Sequence, residues 1–355
     1  MNEYSLKRNR PVAVWLWIGA GMIVVQVLLG GITRLTGSGL SITEWQPILG
    51  AFPPMNEAAW NEAFDKYKEI GQYKHLNTHF SLSDFKAIYF WEWLHRDWAR
   101  LMGLVFLFPF IYFVVKKKID KTMIRPMVIL FLLGALQGLI GWIMVKSGIN
   151  TESTYVSHIR LAIHFIAALA LLCYVVWFAL KISVPKQRIT QSPFLKLLNI
   201  ALLVLVSIQL VYGAFMAGAH AALAGLTWPT INGVWVPESL LTEGGFWSDI
   251  SHNLLTIQFI HRNLAYLLTL ILLIWWVKAS KLPATSVLRR MRHFPMVMII
   301  VQVILGVLAL LNSLDGPLLL FGILHQFGGM VLLLMLTVTL FYTSYSGNTP
   351  SRAGA

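Results

Sequence analysis

The chain has 355 residues, 57% of them hydrophobic and 12% charged, about half the charged share of soluble domains, with a mean hydropathy of +0.67. This composition excludes a soluble enzyme and a disordered or collagenous chain, and its 14 Trp and 11 Tyr suit a protein that crosses two membrane interfaces many times. The net charge of +13 follows the topology rather than a basic patch, so no nucleic-acid partner is expected. The single cysteine, Cys173, lies in an apolar run and excludes an intrachain disulfide.

A helix needs about 20 apolar residues to cross roughly 30 Å of hydrocarbon. Such stretches predict eight transmembrane helices, near 11–33, 89–115, 124–145, 160–181, 194–217, 257–278, 294–312 and 318–344. The first is too long for a secretory signal, has no small-residue cleavage site and follows no Arg/Ser-rich leader, so it reads as an uncleaved span. Most of the basic residues flank one side: Lys7, Arg8 and Arg10; Lys116, Lys117, Lys118, Lys121 and Arg125; Lys181, Lys186, Arg188 and Lys196; Lys278, Lys281, Arg289, Arg290 and Arg292; and Arg352. The positive-inside rule then puts both termini in the cytoplasm. Arg34, Arg96, Arg100, Arg160 and Arg262 fall near outer helix ends. Two long loops face outward. Loop 34–88 carries a helix start capped by Asn56, and 218–256 has no Lys or Arg.

The chain repeats itself. Gln26-Val-Leu-Leu-Gly30 recurs as Gln209-Leu-Val-Tyr-Gly213, with Trp45 and Trp228 at matching offsets. Glu92-Trp-Leu-His95-Arg96 recurs as Gln258-Phe-Ile-His261-Arg262, Gln137-x-x-x-Gly141 matches Gln302-x-x-x-Gly306, and Ile163-His164-Phe165 matches Leu324-His325-Gln326. The fold class is therefore an all-α integral membrane protein made of two tandem four-helix bundles, residues 1–185 and 186–355. An even helix number per half makes the repeats parallel.

His95, His164, His261 and His325 lie just inside the outer ends of the second, fourth, sixth and eighth spans. Intramembrane ionisable residues are costly and mark function by default. Two imidazoles per four-helix bundle, on alternate helices at one depth, form the arrangement that grips a haem iron from both faces. A bare metal site fits less well, since each half lacks the three or four ligands zinc takes. Arg96, Arg262 and Arg160 either snorkel to the interface or pair with haem propionates. His75, His79, His252 and His293 read as solvated, while His158 and His220 lie at outer helix ends, as weaker candidates to line a site.

Glu92 breaks the repeat, because Gln258 stands in its place. It lies one turn from His95. It is either a carboxylate paired with Arg96 or an acid/base raised in pKa by burial. On the second reading the first half holds a reactive haem, attacked at its edge because a six-coordinate iron has no open position, and the second holds an electron-transfer haem.

The run Gly30-Gly31-Ile-Thr33-Arg34-Leu-Thr36-Gly37-Ser38-Gly39-Leu, then Thr43-Glu44-Trp45-Gln46-Pro47, Pro53-Pro54, Glu92-x-x-His95-Arg96 and the three later histidines resembles haem A synthase of the type shared by proteobacteria and mitochondria, over all eight helices. The resemblance implies oxidation of the C8 methyl of haem O to a formyl group through a hydroxymethyl intermediate, giving haem A for cytochrome c oxidase. It makes Glu92 the catalytic carboxylate, His95 and His164 the ligands of the substrate haem, and His261 and His325 the ligands of a haem B cofactor. It implies a multi-pass protein of the bacterial inner membrane, in contact with lipid and with an electron acceptor it does not name. Haem O synthase, cytochrome c oxidase assembly factors and further copies of the chain are candidate partners. Some members carry cysteine pairs in the outer loops, which this sequence lacks. Two other classes compete. A di-haem electron-transfer protein of the cytochrome b kind gives no reason for Glu92 opposite Gln258, and a duplicated transporter predicts broken helices that the pattern does not show.

Overall fold

In the computed structural model, residues 3–46, 49–185, 188–190, 192–241, 244–314 and 318–344 are described; Pro47, Lys186 and Arg352 lie outside them. Among the described residues, eight helices are long and apolar enough to cross a membrane. They are α1 (Glu3–Leu35), α4 (Leu82–Val115), α5 (Lys121–Lys146), α6 (His158–Ser183), α7 (Pro193–Gly218), α9 (Leu254–Ser280), α11 (His293–Leu311) and α12 (Leu318–Ser344). Four shorter helices fill the connections: α2 (Glu57–Lys68), α3 (Gly71–His75), α8 (Phe246–His252) and α10 (Val287–Met291). The chain is a multi-pass membrane protein.

Helix caps explain most starts. Asn56 accepts from the Ala59 amide at 2.8 Å and opens α2, as the sequence predicts. Ser81 and Asp84 form a reciprocal capping box, so α4 begins at Leu82, two turns before its apolar run. That overhang is amphipathic. Phe85 and Ile88 turn inward onto Trp60, Phe64 and Tyr67 of α2, making a small second core above the spans, while Ser83, Asp84 and Lys86 alternate with them. A hydropathy window averages such a segment away, which is why the sequence places this span's start near 89.

Packing between spans follows a pattern. In the first four spans, α1 packs on α4 and α6, and α5 on α4 and α6; in the last four, α7 packs on α9 and α12, and α11 on α9 and α12. The two sets meet through α6 on α7, α1 on α12 and α6 on α12.

Apolar side chains gain little by leaving lipid for a neighbouring helix, so specific contacts matter. The Trp15 indole donates to the Val105 carbonyl at 2.9 Å, and Trp98 to Met22 at 2.9 Å, pinning α1 against α4. In the second set Asn199 is fully buried and holds Thr339 at 2.9 Å and Thr343 at 3.4 Å, which ties α7 to the C-terminal end of α12. Interhelical bonds of this kind contribute about 0.6–2 kcal/mol each.

Candidate functional site

Spans of alternating direction bring the N-terminal ends of α4, α6, α9 and α12 to one end of the molecule, together with the long connections 36–81 and 219–253. His164, His261 and His325 fall in the second turn of α6, α9 and α12; His95 falls deeper in α4 because that helix starts early.

The imidazole rings of His261 and His325 stand 6.3 Å apart, centre to centre, with their planes crossed at 78°. Two imidazoles on opposite sides of one metal, each with a metal–nitrogen bond of about 2.0–2.1 Å and a further ~1.1 Å to its ring centre, have centres roughly 6.3 Å apart. The pair is therefore spaced for one metal between the rings. The Nδ1 atoms of His164, His261 and His325 are buried without a hydrogen-bond partner. Leaving such a group unmatched costs about 1–3 kcal/mol, which a metal bond at the ring, or an acceptor turned toward it, would offset. For His261 and His325 both the donor type and the spacing fit a bis-histidine haem.

Each ring is admitted by a glycine on an adjacent helix. A Cβ built on Gly30 would lie 3.2 Å from His95 Nε2; on Gly141, 3.0 Å from His164 Cε1; on Gly213, 3.4 Å from His261 Cε1; and on Gly306, 3.0 Å from His325 Cε1. Sequence repetition pairs Gly30 with Gly213 and Gly141 with Gly306; a Cβ would crowd the ring at Gly30, Gly141 and Gly306, while at Gly213 it would stand at ordinary contact distance.

Glu92 is 2% exposed. Its Oε2 accepts from Ser41 Oγ at 2.7 Å and from the Ile42 amide at 2.9 Å, and its Oε1 meets Arg96 at 2.6 Å. The pairing with Arg96 considered from the sequence is present; the two donors from loop 36–46 are new, and no sequence signal announces them. Arg96 also donates to the carbonyls of Ile42 at 2.8 Å and Glu44 at 2.9 Å, so it clamps the loop over the carboxylate.

The second set repeats the clamp without the charge. Gln258 donates to the Gly225 carbonyl at 2.7 Å, and Arg262 to Gly225 and Thr230, each at 3.1 Å. Arg160, further from this centre, donates to the Ile143 carbonyl at 3.0 Å.

The remaining histidines scatter. His158 Nε2 donates to the Ser251 carbonyl, 2.7 Å away, and the ring meets His252 edge-on at 5.1 Å, a contact between the two sets that the sequence does not reveal. His220 packs on Tyr155 at 4.4 Å, where burial and the nearby Arg34 push its pKa below the ordinary histidine value. Among the described residues no cluster of three or more His, Cys, Asp or Glu is arranged to hold a bare metal ion.

Fold and site together define a class: multi-pass helical membrane proteins carrying buried histidines suited to gripping a metalloporphyrin. Residues 13–337 match the family model COX15-CtaA, described as cytochrome oxidase assembly protein. The chain belongs to that family. It is 40% identical over 343 residues to a protein of Flavobacterium johnsoniae named heme A synthase, covering 94% of this chain and 98% of the relative. It is 41% identical over 341 residues to a heme A synthase of Rhodospirillum centenum, covering 95% and 90%. With that of Rhodopseudomonas palustris it shares 44% over 268 residues, covering 75% and 74%.

Proposed function

We propose that the protein is a haem A synthase of a bacterial inner membrane, which oxidises the C8 methyl of haem O to a formyl group for use in cytochrome c oxidase. Family membership and the names of relatives near 40% identity support the reaction. The observation that carries the mechanism is the buried Glu92, met by three donors one turn from His95, where the equivalent position is the neutral Gln258.

The overall change adds the oxygen of one water to the methyl carbon and releases four electrons and four protons. It passes through a hydroxymethyl stage after two of each. His95 and His164 hold the substrate haem, which fixes the methyl relative to Glu92 without opening a position on the iron. A carboxylate oriented by Ser41, Ile42 and Arg96 sits ready to take protons as the carbon is oxidised. Arg96 and Arg262 close the outer loops over the two sites and would meet propionates at the polar edge of each haem. His261 and His325 would hold haem B as a resident cofactor, which supplies one-electron transfer toward an external acceptor. Both termini face the cytoplasm, and the halves 1–185 and 186–355 are the substrate and cofactor halves.

Glu92→Ala tests the assignment. Expressed with haem O, this variant should keep the haem absorbance of the unaltered protein and stop converting haem O. Continued conversion would remove Glu92 from the mechanism.

A further inference from the structure

At the end of the molecule opposite the histidines, the connection between α6 and α7 meets the turn between α9 and α10. Residues 181–196 and 278–293 carry nine Lys or Arg and no Asp or Glu. Orientation in a membrane accounts for basic flanks. It does not account for where the side chains go. Arg289 donates to the Leu282 carbonyl at 2.8 Å, and Arg292 donates to the Arg289 carbonyl and stands 6.0 Å over the Trp276 ring, so both are occupied close to their own helix. Arg188 and Arg290 instead line one cavity of about 530 Å³, together with the hydroxyl-bearing Thr190, Thr285 and Ser286.

The wall of this cavity suits an anion. Arg290 donates to the carbonyls of Ala284 at 3.4 Å and Thr285 at 3.2 Å, which fixes its guanidinium against the turn and uses two of its five N–H donors. The hydroxyls of Thr190 and Ser286 are 3.0 Å apart and share one hydrogen, so one of the pair still has a hydrogen to donate. Among the described residues no acid lines the cavity. Two guanidiniums around one space repel unless an anion lies between them, and their planar forks match phosphate oxygens.

The cavity also lies at the level where the spans end. The Thr190 amide donates to the Tyr342 carbonyl at 2.9 Å, in the last turn of α12, while α9 ends at Ser280 and α7 begins at Pro193. Phe194, half exposed in the first turn of α7, has the Lys278 ammonium 5.4 Å from its ring, a pairing that suits the boundary between acyl chains and headgroups. The rest of the cavity wall, Ile189, Pro283 and Val287, is apolar. A free phosphate gains nothing from such a wall. A phospholipid, charged at its phosphate and apolar a few bonds away, matches both parts, and basic pockets among span ends are where lipid headgroups bind.

We propose that this cavity is a binding site for an anionic glycerophospholipid. Arg188 and Arg290 pair with the phosphate, the hydroxyls of Thr190, Thr285 and Ser286 surround it, and the glycerol end rests on Ile189, Pro283 and Val287. The bound lipid ties the α6–α7 connection, which joins the two sets of spans, to the turn before α10.

The test uses the full-length protein, stripped of lipid in an uncharged detergent, with binding of phosphatidylglycerol, phosphatidylcholine or inorganic phosphate followed by native mass spectrometry and by melting temperature. Phosphatidylglycerol should bind and raise the melting temperature, with phosphatidylcholine much weaker and inorganic phosphate without effect. Affinity for phosphatidylglycerol should fall about 5-fold in Arg188→Gln and about 30-fold in Arg188→Gln/Arg290→Gln. Lys116→Gln/Lys121→Gln, which removes the same charge from the connection between α4 and α5, should bind as the unaltered protein does. If the double arginine variant loses its fold, read as lost haem absorbance, Arg188→Gln against Arg188→Lys decides, since the lysine keeps the charge and should keep most of the binding. Equal weakening by the lysine and arginine pairs would reduce the site to general surface attraction and overturn the proposal. Inorganic phosphate that raises the melting temperature as phosphatidylglycerol does, and displaces it, would overturn the lipid in favour of a free anion.

Discussion

The two sets of four spans share a frame and differ at their outer ends. Over the first, α2, α3 and the overhang of α4 build an aromatic core around the buried Tyr67 and Phe85, and Lys66 bridges Glu44 at 2.7 Å and Glu62 at 2.8 Å. Over the second, short turns and α8 leave Trp235, Leu241 and Trp247 exposed. Beneath the cap of α2 and α3 lies Glu92, and beneath the other Gln258. Under the proposed function the difference teaches how one frame can take two roles: histidines recur where both halves would hold a ring, and the carboxylate with its capped loop occurs in the half assigned the chemistry.

Substitutions that make the halves alike should break this division. The largest effect is expected from Glu92→Gln, which writes the second half's residue into the first; conversion of haem O should fall by about 10²-fold or more, the usual worth of a general base, with haem absorbance unchanged. Gly71→Ala should come next. Its Cβ would meet the Ser153 carbonyl at 2.6 Å, a backbone atom that cannot turn aside. Overpacking of this kind costs about 1–3 kcal/mol, read as faster proteolysis of the first cap while the second is cut as before.

Ser41→Ala removes one of three donors to Glu92 and should slow conversion by several-fold through kcat, less than Glu92→Gln does, because the Ile42 amide and Arg96 remain. The smallest effect concerns pH. His220 is lowered by burial first and by Arg34 second, so it is neutral in the fold. Its contribution to stability is complete above the ordinary histidine value of about 6.5 and is lost as pH falls below it, because the unfolded chain then binds the proton more readily. The melting temperature should begin to decline as pH falls below about 6.5. His220→Asn, which suits the left-handed backbone at φ 55, should flatten that decline.

Much of this comparison is legible in the amino-acid sequence. The spans follow from hydropathy because a membrane helix must satisfy its own backbone, and the four histidines stand out because buried ionisable groups are rare there. Asn56 announces α2 through a local cap. What escapes the sequence is long-range. Nothing near Ser41 or Ile42 signals that they reach Glu92, which lies 51 and 50 positions further along the chain. The start of α4 is hidden because Phe85 and Ile88 are buried by α2 rather than by lipid. His158 and His252 meet only because the two halves come together at their outer ends. Repetition draws the eye to glycines as a motif, while their role as seats depends on which helix faces which.

The most direct test of the central claim is the identity of the haems extracted from the purified protein after expression in a host that makes haem O, separated by chromatography with mass detection. The account predicts haem B together with haem A or its hydroxymethyl precursor. Haem B alone, with haem O demonstrably present in the host, would contradict it and leave Glu92 a structural carboxylate.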